Sequence, residues 1–183
     1  EDLPKDIHVI PVQSSSEMYE YLVDSVRVAK KGVMTKTTLM DASRPELIQK
    51  TPYLFMVAAV SDYVPSFPQN GKMKKDMIGP SWDLNLKQNI DILSSLNKSE
   101  MISIGFKAEM DEVSALNNAS SMLEKKNLDG VCLNILGDEN SFGSDSNEIE
   151  LMLKNNSYSF KGEKLEISLG ILNRLQNEFK ENE

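Results

Sequence analysis

A chain of 183 residues with 40% apolar content can bury one sizeable core, which excludes disorder as its general description and predicts a single domain over residues 1–183. A formal charge of −8 excludes a broadly basic surface for nucleic acid or anionic membrane, so any anion site has to be local. One cysteine and one histidine exclude an internal disulfide and argue against a zinc site, and no apolar run reaches the roughly 18 residues of a membrane span. A reduced, cytoplasmic setting is the expectation.

Ile7–Val12 reads as a short β-like run in which His8 alternates with apolar neighbours and is expected to be structural. Ser14-Ser15-Ser16-Glu17 supplies a helix cap, after which Met18, Leu22, Val26 and Ala29 recur as a core-facing stripe. Gly32 ends that helix, and the polar stretch to Pro52 holds at most a short helix around Pro45–Lys50. Tyr53–Val60 is apolar throughout, as in a central strand covered on both faces. Ser61–Pro80 is rich in proline and carries the basic patch Lys72, Lys74 and Lys75, which suits an active-site loop. Trp82, Leu84 and Leu86 alternate with Asp83 and Asn85, predicting a half-exposed strand whose edge can pair, and Ile90–Leu96 predicts a short helix.

Met101–Phe106 reads as a strand, Asp111–Lys126 as a helix with Val113, Leu116, Ala119 and Leu123 inward, and Gly130–Ile135 as another strand with Cys132 as a small core residue. Glu148–Leu153 and Ser157–Phe160 alternate around Asn155-Asn156 as a β-hairpin. Ser168 caps a last helix with Leu169, Leu172, Leu175 and Phe179 as its apolar stripe. Strands alternating with helices predict an α/β fold, because parallel strands need crossover helices. The expected architecture is a Rossmann-like three-layer sandwich with a mainly parallel sheet and a C-terminal β-hairpin plus helix.

From Val57 to Lys75 the chain reads VAAVSDYVPSFPQNGKMKK, an apolar strand running into a carboxylate and then a lysine cluster. Ligands of open α/β sheets gather just past such strand ends, which places Asp62 and Lys72 together there. AAVSDY, followed ten residues after its aspartate by KMKK, resembles the signature of bacterial phosphopantothenoylcysteine synthetase. Further pieces follow in the same order: Asn89-Ile90-Asp91-Ile92, Ile104–Glu109, Lys126-Asn127-Leu128-Asp129, and Phe142–Glu148. Together they span most of Tyr53–Leu151.

The resemblance implies a CTP-dependent ligase of coenzyme A biosynthesis. The carboxylate of 4′-phosphopantothenate attacks the α-phosphate of CTP, giving an acyl-cytidylate and pyrophosphate, and the amine of L-cysteine then displaces CMP. Magnesium accompanies the triphosphate, because divalent ions bridge phosphate oxygens; no residue is assigned to the metal. The resemblance further implies nucleotide contacts from Ala58, Ala59, Asp62, Lys72, Asn89, Ile90, Asp91, Ile92, Phe106 and Lys126, with Lys72 catalytic because its ammonium is a compact point charge on a flexible stem. The helix start after Asn89 is expected to present backbone N–H groups to the nucleotide.

Three departures qualify these implications. Ile90 replaces the family's proline, Met122 falls where a lysine is expected, and nothing before Val57 resembles the family's glycine-rich anion segment. The expectation is therefore an N-terminally incomplete domain that does not turn over alone. The resemblance also implies a homodimer and a possible fused decarboxylase domain; FMN belongs to that domain, for which this chain has no room. The residues leave open a noncatalytic nucleotide-binding or assembly module on the same scaffold. An NAD(P)-linked enzyme is disfavoured because no GxGxxG follows a strand.

Overall fold

The computed structural model describes residues 7–34, 47–48, 50–68, 71, 80–137 and 145–180. Helix α1 is Ser15–Ala29, and its N-cap Ser14 accepts the Glu17 N–H at 3.2 Å while the Glu17 carboxylate accepts the Gln13 N–H at 2.7 Å. Strands β1 (Val33–Met34) and β2 (Leu47–Ile48) pair antiparallel. Strand β3 is Tyr53–Met56; β4 (Tyr63–Pro65) and β5 (Leu86–Gln88) then form an antiparallel ribbon. A single turn, α2 (Ile92–Ser95), leads to β6 (Ile102–Glu109), α3 (Glu112–Lys125), β7 (Gly130–Ile135), the hairpin β8 (Ser146–Leu153) and β9 (Ser157–Glu163), and α4 (Lys164–Glu178).

Among the described residues, five strands build the main sheet in the order β3-β6-β7-β8-β9. The first three run parallel, and the hairpin joins β7 antiparallel, which makes the sheet mixed. Alternation along the strands sends successive side chains to opposite faces. Val131 and Leu133 pack with Met56, Leu93, Ala115, Ala119 and Leu128 on one face, against α2 and α3, with Met18, Tyr19 and Leu22 of α1 added. Cys132 and Ile104 pack with Leu151, Ile167, Ile171 and Leu175 on the other, against α4. The result is the expected three-layer α/β sandwich, and each fully buried leucine or isoleucine contributes roughly 1.5–3 kcal/mol.

Gly105 in β6 makes room for this packing. A Cβ there would lie 2.7 Å from Met122 Cε and 2.9 Å from Leu128 Cδ1. Ser103 is fully buried yet satisfied, since Asp129 accepts both its backbone N–H at 2.8 Å and its hydroxyl at 3.0 Å.

Several local expectations are corrected. Ile7–Val12 forms no strand and its apolar side chains and His8 are exposed, because no described strand lies beside it to complete a ladder. The predicted strand Tyr53–Val60 stops at Met56, and among the described residues it lies at the end of the sheet rather than in its centre. The strand expected at Trp82 starts only at Leu86, with Trp82, Leu84 and Leu86 all exposed. The helix expected over Ile90–Leu96 shrinks to one turn. Leu47–Ile48 are strand, not helix; residues 45, 46 and 49 lie outside the described residues.

Helix α3 keeps half of its predicted inward stripe, Ala119 and Leu123, and turns the other half, Val113 and Leu116, outward. Ala115 and Ala119 are buried, with Met122 and Leu123 partly so, whereas Val113 and Leu116 face solvent and Val113 is 87% exposed. Alanine permits the helix backbone to approach the sheet, and that contact sets its rotation. Helix α4 starts four residues before Ser168, which sits inside it and donates to the Lys164 carbonyl at 2.7 Å. Its buried stripe is Ile167, Ile171 and Leu175, while Leu169 and Leu172 are exposed. Ala29 is exposed as well. Among the described residues no helix is long and apolar enough to cross a membrane.

Candidate functional site

Just past the end of β3 the backbone leaves the sheet through Val57–Val60 and enters the β4–β5 ribbon, which folds back toward α2. A cavity of about 420 Å³ opens between these elements. Of the ten residues expected to contact nucleotide, nine line it: Ala58, Ala59, Asp62, Asn89, Ile90, Asp91, Ile92, Phe106 and Lys126. The tenth, Lys72, lies outside the described residues, as do Lys74, Lys75 and Phe142–Ser144 of the motifs. Met122, at the position where a lysine was expected, is also in the wall.

The turn before α2 is held by a dense set of bonds. The Asn89 backbone N–H donates to the Asp62 carbonyl and its Nδ2 to the Ser61 carbonyl, both at 2.8 Å. Its Oδ1 accepts from the Ile90 N–H and from the Ser15 hydroxyl, both at 2.9 Å. Asp91 caps α2, accepting the Ser94 N–H at 3.1 Å and the Ser94 hydroxyl at 2.8 Å. The backbone donors expected to point free at a ligand are thus partly used: those of Ile90 and Ser94 are bonded to neighbouring side chains.

Lys126 reaches Asp91 from the end of α3, its Nζ 3.0 Å from one carboxylate oxygen and 3.2 Å from the other. Burial pushes the Asp91 carboxyl upward, but the Ser94 donors and the Lys126 ammonium outweigh it and hold the group below the usual carboxylate range. The Asp62 carboxylate has no partner among the described residues. Lys107 is occupied by Glu109 at 2.9 Å, and Asn118 donates to the same glutamate at 2.9 Å, so Glu109 lies below its ordinary range through bonds to Lys107 and Asn118. Lys107 lines the wall of the neighbouring cavity rather than this one.

Phe106, Ala58 and Ala59 also border a second, largely apolar cavity of about 680 Å³ between the sheet and α4, walled by Phe55, Ile149, Ile167 and Ile171. Cys132 faces it, and burial pushes its thiol up to about 12, which leaves no thiolate nucleophile near neutral pH. Among the described residues no three His, Cys, Asp or Glu side chains cluster as a closed metal site. Ser61, Tyr63 and Gln88 line the cavity beside Asp62 without having been singled out; their signal was adjacency to Asp62 and Asn89. Ser15 carried no signal, because it lies 74 residues from its partner.

A family described as the DNA/pantothenate metabolism flavoprotein C-terminal domain matches residues 24–179. The chain belongs to this family. The motif resemblance seen in the sequence agrees with that membership. Among curated relatives, the coenzyme A biosynthesis bifunctional protein CoaBC of Bacillus subtilis is 32% identical over 157 residues, covering 84% of this chain and 32% of that protein. A protein named cysteine/cysteine sulfinic acid decarboxylase, from an unknown prokaryotic organism, is 30% identical over 160 residues, covering 84% of this chain and 36% of that protein. The chain thus spans about a third of the length of the relatives it matches. The crystal structure of the C-terminal domain of a coenzyme A biosynthesis bifunctional protein CoaBC superposes with a TM-score of 0.63 at 17% identity, over 98% of this chain and 70% of that one, which shows a shared fold.

Proposed function

We propose that this chain is the nucleotide-binding part of a phosphopantothenate–cysteine ligase that uses CTP in coenzyme A biosynthesis. The observation that carries the reading is the convergence of nine motif residues, drawn from four separated stretches of chain, on one cavity at the end of a parallel strand. Family membership and the names of the curated relatives point to the same pathway.

The chemistry brings a carboxylate of 4′-phosphopantothenate up to the α-phosphate of CTP, two anions, and then expels pyrophosphate. Cysteine's amine next attacks the acyl carbon and CMP leaves. Fixed positive charge beside the phosphates lowers both barriers, since charge accumulates on phosphate oxygens as the bonds change. Lys126 supplies such a charge at the cavity wall, and Lys72, ten residues after Asp62 in the sequence, is assigned the catalytic share. Magnesium typically binds through one or two carboxylates together with substrate phosphates, and Asp62, whose carboxylate has no partner among the described residues, suits that arrangement. Phe106 offers a flat ring to the base or ribose.

The β4–β5 ribbon and the segments flanking it carry exposed Tyr63, Phe67, Trp82, Leu84 and Leu86, a concentration of apolar surface that supports pairing with a second copy. The deciding experiment is pyrophosphate release by the full-length polypeptide given 4′-phosphopantothenate, magnesium and CTP or ATP, with cysteine added second. Release that needs phosphopantothenate and CTP, followed by cysteine-dependent CMP, supports the ligase. Absence of reaction with either nucleotide overturns it in favour of a binding or assembly module.

A further inference from the structure

Helix α1 touches the site-forming segment at three places along its length. The Ser15 hydroxyl donates to Asn89 Oδ1 at 2.9 Å, the Tyr19 hydroxyl to the Ser95 carbonyl at 3.5 Å, and Lys30 Nζ to the Asn97 carbonyl at 3.0 Å. Met18, Tyr19 and Leu22 seat the same helix on the core that holds Ile92 and Leu93 of α2. The helix is a strut laid along residues 89–97, and its first residue bonds Asn89, which lines the cavity.

We propose that Ser15 is a positioning residue: it locks the Asn89 side chain, and through it the turn that carries Ile90 and Asp91 into the cavity. Ser14 already serves as the N-cap, so the Ser15 hydroxyl is available for a long-range partner. A carboxamide oxygen accepts two hydrogen bonds, and Asn89 Oδ1 has two, from Ser15 and from the Ile90 N–H. Its Nδ2 is committed to the Ser61 carbonyl. Flipping the amide would set N–H groups against N–H groups at Ile90, so a single orientation satisfies the turn. The Ile90 N–H is a donor that proline would lack, and Asn89 with Ser15 gives it a fixed acceptor. Ser15 and Asn89 are both half-buried, which limits competition from water. The consequence for nucleotide affinity rests on the reading that this cavity holds CTP; the bracing itself does not.

The test compares Ser15→Ala and Ser15→Thr in the full-length polypeptide by two readouts. The first is hydrogen–deuterium exchange of the peptide that carries the Ile90 amide, which needs no ligand. The second is KM for CTP alongside kcat. Loss of one net hydrogen bond predicts about five-fold faster Ile90 exchange and about five-fold higher KM in Ser15→Ala, with kcat little changed and both restored by threonine. Exchange unchanged in Ser15→Ala, or not restored in Ser15→Thr, overturns the positioning role whatever happens to KM. Faster exchange with threonine rescue in a protein that binds no CTP upholds the bracing and removes the nucleotide reading instead.

Discussion

Replacing Lys126 with methionine separates the site's chemistry from its stability. The aliphatic stem survives, so the loss is the ammonium and its two contacts to Asp91 at 3.0 and 3.2 Å. The two side chains are 32% and 45% exposed, and water screens a pair of that kind down to about 0–1 kcal/mol. For a chain of 183 residues that is a melting shift of about 2–4 °C at most. A charged hydrogen bond to phosphate is worth more, about 1.5–3 kcal/mol, or roughly ten- to a hundred-fold in nucleotide affinity. Calorimetric titration with CTP and a thermal melt on the same preparations give both numbers. The pH dependence adds a check. Because the folded Asp91 pKa is depressed, its contribution is present above the ordinary value of 3.8 and lost as pH falls through the lower folded value. The stability difference between wild type and Lys126→Met should therefore shrink below that value. CTP affinity within two-fold of wild type, or a melting loss well beyond 4 °C, would refute the separation.

Gly105→Ala forces a methyl group against Met122 Cε and the fully buried Leu128; the methionine end can swing away but the leucine cannot, so urea denaturation should show a loss of about 1–3 kcal/mol that Met122→Ala relieves only in part. Asp129→Ala strips the buried Ser103 N–H and hydroxyl of their acceptor and should destabilise by about 1–3 kcal/mol in the same assay. Cys132 should resist thiol reagents at pH 8 until urea unfolds the chain. Its folded pKa is raised from 9.0 to about 12, so stability from the protonated thiol is complete below 9.0 and falls as pH rises from there toward 12; Cys132→Ala should flatten that alkaline slope in thermal melts.

Elements with strong local signals were legible in the chain. The strand Gly130–Ile135, the hairpin around Asn155-Asn156 and the serine cap before α1 could be read from residue types along short stretches of chain. Nine residues of the cavity were legible through the family resemblance, which rests on the fixed order of motifs around Asp62, Asn89, Phe106 and Lys126 rather than on any one of them. What those motifs could not reveal was how Asn89 is spent, since its amide is claimed by Ser61 and by Ser15 from 74 residues away.

Helix faces were legible only in part. Of the predicted stripes, Ala119 and Leu123 in α3 and Leu175 in α4 with Phe179 at its end do pack on the core, whereas Val113, Leu116, Leu169 and Leu172 are exposed and Ala115, Ile167 and Ile171 take the inward places. Periodicity says that a helix has an apolar stripe, but where a helix carries two, only the sheet it packs on chooses between them. The sequence by itself determined the α/β class, the succession of elements from Met101 onward and, through the family resemblance, nine of the residues around the cavity, because these follow from short-range propensity and local motifs. The tertiary structure decided the rotation of α3 and α4, the end position of β3 and the bracing of the turn by α1, because each depends on contacts between segments that are close only once the chain has folded.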